Sequence, residues 1–149
     1  MTNTIATDVV VDVVTTNKKA DALKAMAKLL ASKRDLDAEE LAARFADREA
    51  ESSTGFGNSV AIPHAKISGL QTPFIGVATF SEPVEWESLD DAPVSIAIGL
   101  VMPLDDPDQT HLKVLSKLAR KLMDDEFIAS LHAATHDAEA LQQLVESVL

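Results

Sequence analysis

The sequence predicts an α/β fold in which a mixed sheet is covered by helices on both faces. Runs of β-forming residues alternate with segments of helical periodicity, and this pattern is typical of a sheet packed between helices. The segment 74–102 carries no helical pattern between its strands, so antiparallel pairing is expected there. A chain of 149 residues without an evident linker predicts one domain over 1–149.

The first elements are predicted as one strand and two helices. The apolar run 9–14 is typical of a strand. Apolar residues at helical spacing follow, and the face that they predict consists of Leu23, Met26, Ala27 and Leu30. Asp37 with Glu40 predicts a capping box for a second helix, which would bury Leu41 and Phe45.

Further strands and three helices are predicted in the second half of the chain. The strands are expected at 60–62, 74–80, 84–86 and 94–102. After a turn at 105–108, an amphipathic helix is expected to bury Leu115, Leu118 and Leu122, with Leu112 and Ala119 offset. Two shorter helices should follow, one with Phe127 and Leu131 and one starting near Asp137.

Composition excludes several classes of function. Thirteen basic and 24 acidic residues give a net charge of −11, which argues against nucleic acid and favours an electropositive protein partner or simply a solvated surface. Cysteine is absent, so no disulfide, thiolate metal site or cysteine nucleophile is expected, in keeping with the cytoplasm. The longest apolar stretch, 94–104, is too short to span a bilayer, and we expect a soluble, unprocessed chain.

The segment 52–66, Ser-Ser-Thr-Gly-Phe-Gly-Asn-Ser-Val-Ala-Ile-Pro-His-Ala-Lys, points most directly to function. Glycines permit backbone conformations that bring N–H groups close to an anion. A phosphate-binding role is therefore predicted for Thr54, Gly55, Gly57 and Asn58. Pro63 fixes its own φ and removes a donor, so the preceding strand should end there and present His64 at its edge.

This segment closely resembles the phosphorylation-site signature of fructose/mannitol-type enzyme IIA domains of the bacterial phosphoenolpyruvate-dependent sugar phosphotransferase system. The resemblance extends to Arg48-Glu49 upstream and His111-Leu112-Lys113 downstream, and covers nearly the whole chain. It implies a three-layer α/β/α sandwich. The family usually has glycine where this chain has Ser59 and Ala65, and these two departures could alter the loop geometry.

The resemblance also implies the activity and the partners. His64 would accept phosphate from the phosphocarrier protein HPr and pass it to a cognate enzyme IIB on a separate chain for sugar uptake. The protein would be a phosphotransferase with a phosphohistidine intermediate, without cofactor or metal, and at most peripheral to a membrane enzyme IIC. The alternative is a regulatory protein like the nitrogen-related enzyme IIA, which controls partners through its phosphorylation state.

Each catalytic candidate has a purely structural alternative. His64 is predicted as the nucleophile, because a neutral imidazole has a lone pair able to attack phosphorus, but it could be a strand-end histidine bonded to a carbonyl. His111, near a helix start, could contact the phosphoryl group or only the local backbone. Arg48 could stabilise the phosphoryl charge or form a surface salt bridge with Asp47 or Glu49.

Other patterns carry less weight. Thr54 and Asn58 could cap turns instead of binding phosphate, and an exposed Lys66 is usually solvated. His132 and His136 have the four-residue spacing of metal ligands on a helix, but Asp137 predicts a helix break beside them. A metal hydrolase that uses the histidines would lack a complete ligand set, and no metal site is expected.

Overall fold

The computed structural model describes residues 5–106 and 109–149, which form a mixed sheet and five helices. The strands are β1 (Ala6–Val13), β2 (Gly55–Gly57), β3 (Val60–Ala61), β4 (His64–Ile67), β5 (Phe74–Val84) and β6 (Val94–Pro103). The helices are α1 (Lys19–Arg34), α2 (Ala38–Glu51), α3 (Thr110–Lys121), α4 (Asp125–Ala133) and α5 (Ala138–Glu146). No helix in these ranges is long and apolar enough to cross a membrane.

The sheet has the spatial order β1-β5-β6-β3-β2, and β4 also pairs with β6. β1 runs parallel to β5, while β5 and β6 are antiparallel, as predicted for the segment without an intervening helix. β3 and β4 both run parallel to β6. The prediction of a mixed sheet is confirmed.

Two apolar clusters lie on opposite faces of this sheet. One packs α1 and α2 on the sheet through residues such as Met26, Leu30 and Phe45. The other packs α3, α4 and α5 through residues such as Leu118, Leu131 and Leu141. Helices therefore cover both faces, which confirms the α/β/α arrangement.

The strand that leads to His64 is interrupted at Pro63 and then resumes. β3 ends at Ala61, and His64 is the first residue of β4, in register with Leu100 of β6. The carbonyl of Pro63 accepts a hydrogen bond from the amide of Leu100 at 2.8 Å. The sequence analysis predicted the break but missed β4, because Ala65, Lys66 and Ile67 are too short a run to be recognised.

The second helix begins where the sequence predicts, but its cap differs. Asp37 accepts hydrogen bonds from the amides of Glu39 and Glu40 at 2.9 and 3.2 Å. The carboxylate of Glu40 instead accepts hydrogen bonds from the amide and hydroxyl of Ser68. The predicted reciprocal capping box is thus only half formed.

The predicted buried face of α3 is partly wrong. Leu118 and Leu122 are buried, but Leu112 is 48% exposed, and Val114 occupies the core position one turn before Leu118. Four-residue spacing from Val114 sets the face that packs on the sheet, and this turns Leu112 towards solvent. In the preceding turn, Pro107 and Asp108 lie outside the described residues. Of the short extended piece predicted at 84–86, only Val84 belongs to β5, and Glu85 forms an isolated parallel bridge with Lys18.

The two departures from the usual glycines are accommodated differently. Ser59 has φ +64°, a left-handed conformation that costs a side chain free energy, and it follows Asn58 at φ +56°. The carbonyl of Ser59 accepts hydrogen bonds from the amides of Ser95 and Ile96, which anchor the turn. Ala65 is only 3% exposed and its methyl group packs in the core beside α1 and α2.

We predict that Ser59→Gly raises the free energy of unfolding by about 0.5–1 kcal/mol, because glycine adopts φ +64° without a Cβ penalty. Urea denaturation provides the measurement. Ser81→Gly, at an exposed position in β5, is the control and should lower stability by a similar amount. If Ser59→Gly lowered the free energy of unfolding as much as Ser81→Gly does, the strain assigned to Ser59 would be contradicted.

Candidate functional site

A pocket of about 460 Å³ opens where α2, β4, β6 and the start of α3 meet. Its lining combines cationic, acidic and apolar side chains. The residues are Arg44, Asp47, Arg48, Glu51, His64, Ala65, Lys66, Leu100, Met102, Leu104 and His111. The three catalytic candidates of the sequence analysis, Arg48, His64 and His111, are all in this set.

His64 lies at the base of this pocket with its two ring nitrogens in different environments. Nδ1 is shut off from solvent and has no hydrogen-bond partner in the described parts of the chain. The ring as a whole is only partly buried and lines the pocket. Nε2 is therefore the nitrogen that an incoming group can reach.

The environment of His64 keeps its imidazole neutral. Burial, and then the positive charges of Arg48 and of His111, lower the pKa of His64 to about 4, against a smaller opposing effect of Glu49. At neutral pH the ring consequently has an unprotonated nitrogen. This is the form that can act as a nucleophile.

The pocket is cationic although the chain carries a net charge of −11. Arg44, Arg48 and Lys66 line it together with the carboxylates of Asp47 and Glu51, and Arg44 is paired with Asp47, so the excess of positive charge is small. The Nη1 group of Arg48 donates to the carbonyl of Ser52 at 2.8 Å and to its hydroxyl at 3.3 Å. These bonds fix the guanidinium at the pocket wall, where it can meet an anion.

The two acidic residues considered as salt-bridge partners of Arg48 are paired with other cations. Asp47 pairs with Arg44 at 2.9 Å, and Glu49 pairs with Lys19 at 3.5 Å. The position of Arg48 in the pocket thus fits the functional interpretation better than the surface salt bridge.

His111 is the second residue of α3 and faces His64. The two ring centroids are 6.5 Å apart and the rings are nearly perpendicular, at 86°. Nδ1 of His111 lies 3.4 Å from a carboxylate oxygen of Asp106. A group bound to Nε2 of His64 would therefore have a second imidazole beside it.

Glu49 is a buried carboxylate that the sequence analysis did not assign to the site. Its oxygens accept hydrogen bonds from the amide of Thr54 at 2.8 Å, the hydroxyl of Thr54 at 2.6 Å and the indole N–H of Trp86 at 3.0 Å. Lys19 provides the opposite charge at 3.5 Å. Its position next to Arg48 in sequence was a signal that Glu49 belongs near the site. Its burial could not be predicted, because it depends on Trp86 and Lys19, which are distant in sequence.

The residues predicted to bind phosphate do not line this pocket. The amide and hydroxyl protons of Thr54 are both directed to Glu49. The amide of Asn58 donates to the carboxylate of Asp90 at 2.9 Å, and a Cβ on Gly57 would lie 3.6 Å from that carboxyl group. The backbone donors of Thr54 and Asn58 are thus already taken by carboxylates, which repel phosphate, and the amide of Gly55 donates to the hydroxyl of Ser53.

Gly55 is explained by packing. A Cβ at this position would come within 2.2 Å of the carbonyl oxygen of Glu87. The absence of a side chain therefore lets two backbone segments approach each other, and the geometry does not support a phosphate-binding role for Thr54, Gly55, Gly57 and Asn58.

His132 and His136, which have the spacing of metal ligands, contact different parts of the chain. Nε2 of His132 lies 2.6 Å from the carbonyl of Asn58, and Nδ1 of His136 lies 2.5 Å from Asp12. Across residues 5–106 and 109–149, no group of three or more His, Cys, Asp or Glu side chains could hold a metal ion.

One family model covers nearly the whole chain. The family model described as "Phosphoenolpyruvate-dependent sugar phosphotransferase system, EIIA 2" matches residues 4–147. The chain belongs to this type 2 enzyme IIA family, whose members are phosphoryl carriers of the phosphotransferase type.

Relatives include both nitrogen regulatory proteins and segments of larger phosphotransferase-system components. The nitrogen regulatory protein of Pseudomonas aeruginosa is 37% identical over 114 residues, which cover 76% of this chain and 73% of that protein. The 2-O-alpha-mannosyl-D-glycerate-specific EIIABC component of Escherichia coli is 35% identical over 98 residues. This match covers 65% of this chain but only 15% of that larger protein.

Solved structures agree with the fold. Nitrogen regulatory protein IIA-Ntr from Neisseria meningitidis has a TM-score of 0.78 at 27% identity, covering 95% of this chain and 93% of its own. The complex of mannitol enzyme IIA with phosphorylated mannitol enzyme IIB from Escherichia coli has a TM-score of 0.68 at 18% identity, with coverage of 95% and 99%. At this lower identity, the likeness supports the fold alone.

We predict that His64 titrates near pH 4 in an NMR titration, because burial and Arg48 both oppose its protonation. Arg48→Gln should raise this pKa but leave it below 6.5, since burial has the larger effect. Arg44→Gln is the matched control and should change the pKa of His64 less, because Arg44 is paired with Asp47. A midpoint at or above 6.5 in the unchanged protein would contradict the assigned environment.

The same shift gives a pH dependence of stability. Since the pKa of His64 is about 4 when folded and 6.5 when unfolded, the unfolded chain binds more protons between these values. The contribution of His64 to stability is therefore lost as pH falls from 6.5 to 4. His64→Gln should reduce this loss in urea denaturation measured across that pH range, and an unchanged pH dependence would argue against it.

Proposed function

We propose that the protein is a phosphoryl carrier in which Nε2 of His64 takes a phosphoryl group from one protein and passes it to another. The observation that carries this proposal is a neutral imidazole with one accessible nitrogen in a cationic pocket. A nucleophile for phosphorus needs such a lone pair, and the transferred group needs positive charge around it.

In the first transfer, the lone pair of Nε2 attacks phosphorus while the bond from phosphorus to the donor breaks. The electron pair of the broken bond stays with the donor, and the proton of the His64 ring stays on Nδ1. The second transfer reverses these roles, with His64 as the leaving group. Such transfers depend mainly on in-line positioning and on stabilisation of the equatorial oxygens.

The pocket has groups suited to this stabilisation. Arg48 is held at the pocket wall by its bonds to Ser52, and a guanidinium can contact two phosphoryl oxygens at once. His111 stands beside the ring of His64 and can donate a hydrogen bond to a phosphoryl oxygen. Lys66 adds a further positive charge.

The donor that we propose is phosphorylated HPr, and the acceptor is an enzyme IIB on another chain. Membership of the family supports both partners. The mannitol enzyme IIA, which shares this fold, has been solved in complex with its phosphorylated enzyme IIB. Leu104 lines the pocket and is 62% exposed, and Leu112, which follows His111 in sequence, is 48% exposed, so both provide apolar area for a protein partner. We place these transfers in the cytoplasm.

Two biological roles are compatible with this chemistry. The transport role, which the sequence analysis favoured, is supported by relatives that are sugar-specific, such as the mannosyl-glycerate EIIABC component. The regulatory role is supported by relatives of similar length, since this chain covers 73% of the Pseudomonas aeruginosa nitrogen regulatory protein. Growth of a deletion strain on fructose and mannitol, compared with growth on alternative nitrogen sources, separates the two roles.

We predict that His64→Ala abolishes phosphate uptake from phosphorylated HPr, because it removes the attacking nitrogen. The measurement is incubation with labelled phosphoenolpyruvate, enzyme I and HPr, followed by peptide mapping at a pH that preserves phosphohistidine. His111→Ala and Arg48→Gln should keep labelling at His64 but slow it by about 100- to 1,000-fold, the range found on removal of a single donor that stabilises developing charge.

His132→Ala is the matched control, because this imidazole contacts Asn58 in the hairpin and does not line the pocket. This variant should be labelled at close to the rate of the protein without substitutions. Circular dichroism establishes that each variant is folded. Retained labelling of folded His64→Ala protein would end the proposal.

A further inference from the structure

Asp106 lies just before α3 and directs both carboxylate oxygens at the start of this helix. Oδ1 accepts a hydrogen bond from the amide of Thr110 at 2.9 Å, and Oδ2 accepts one from the amide of His111 at 3.1 Å. Oδ2 also lies 3.4 Å from Nδ1 of the His111 ring. The side chain of Asp106 is only 8% exposed, so these contacts are shielded from water.

Helix capping explains only part of this arrangement. Gln109 precedes α3 in a left-handed conformation and makes no side-chain cap, so Asp106 supplies the acceptors that the first amides need. A cap requires the two amide contacts but not the contact with the ring of His111. The position of the ring against the same oxygen needs another explanation.

The ring contact determines which nitrogen of His111 carries the proton. An ionised carboxylate only accepts hydrogen bonds, so the ring nitrogen that faces it must be protonated. Burial raises the pKa of Asp106, but hydrogen bonds from His111 and Thr110 outweigh it, and the pKa stays below its usual value. Asp106 is thus an anion at neutral pH, and Nδ1 of His111 bears the proton. The 3.4 Å separation is long, as is common for such pairs before a ligand binds.

The other nitrogen of His111 is then available to the pocket. The rings of His111 and His64 are perpendicular, with centroids 6.5 Å apart, and both line the same pocket. With Nδ1–H bonded to Asp106, Nε2 of His111 can take up a proton from solvent, and the imidazolium formed donates Nδ1–H to Asp106 and Nε2–H to a phosphoryl oxygen. The negative charge of Asp106 stabilises the imidazolium formed in this way.

We propose that Asp106 is a positioning residue for phosphoryl transfer, which holds His111 in the Nδ1–H form with Nε2 directed to the phosphoryl group on His64. This inference rests on the proposed phosphoryl transfer at His64. Asp106 does not touch the transferred group, and its effect on the reaction passes through His111.

The test variant is Asp106→Asn. Asparagine keeps the shape and one oxygen that can cap the helix, but it has no negative charge, and its amide can donate to Nδ1 of His111 and so favours the neutral Nε2–H form. A neutral ring is a weaker donor to a phosphoryl oxygen than an imidazolium. Nitrogen-15 NMR of the histidine rings distinguishes the Nδ1–H form of His111 from the Nε2–H form. We expect the Nδ1–H form in the unchanged protein, the Nε2–H form in Asp106→Asn, and labelling of His64 slowed about tenfold or more with little change in the KM for phosphorylated HPr.

Asp37→Asn is the matched control, because Asp37 also caps a helix with its carboxylate but bonds only the amides of Glu39 and Glu40. It should lose a similar amount of stability and keep its transfer rate. In a His111→Ala background, Asp106→Asn should slow transfer by no further factor, since its effect requires the imidazole.

Three results would overturn the proposal. One is an Nε2–H ring at His111 in the unchanged protein, and another is an Asp106→Asn variant that transfers at the original rate. The third is that Asp106→Asn lowers the transfer rate by the same factor in the His111→Ala background as in the protein that retains His111. If His64 were never labelled in the unchanged protein, the proposed function would fail while the NMR result still reported on the contact between Asp106 and His111.

Discussion

The pairing of β4 with β6 is the constraint on which the site depends. Pro63 cannot donate to a ladder, but its carbonyl accepts the amide of Leu100, and the ladder resumes at His64. The backbone of the nucleophile is thereby fixed by the central sheet and not by a loop. As a result, one ring nitrogen is buried and the other faces the pocket.

A second set of contacts holds the end of α2 against the sheet. Glu49 binds Thr54 and Trp86 from a buried position, while Arg48, next to it in sequence, turns to the pocket and binds Ser52. The two neighbours thus have different roles: the carboxylate fixes the backbone after the helix, and the guanidinium supplies charge to the site. A buried carboxylate of this kind is tolerated because several donors and Lys19 compensate it.

Local patterns predicted much of the fold and the centre of the site. The helical spacing before Asp37, the β-type runs and the Pro63-His64 pair each act over a few residues, so the sequence alone reveals them. The packing reason for Gly55 could not be predicted, because it depends on the approach of Glu87, which is far away in sequence. Asp106 was missed for a different reason, since its contact with the His111 ring depends on how α3 begins.

The two nitrogens of His64 are unequal, since Nδ1 is enclosed and Nε2 is open to a cationic pocket. The most direct test is NMR of protein labelled with nitrogen-15 in histidine and phosphorylated through enzyme I and HPr. We expect phosphorus–nitrogen coupling at Nε2 of His64 alone. Coupling at Nδ1 of this ring, or at any other histidine, would contradict it.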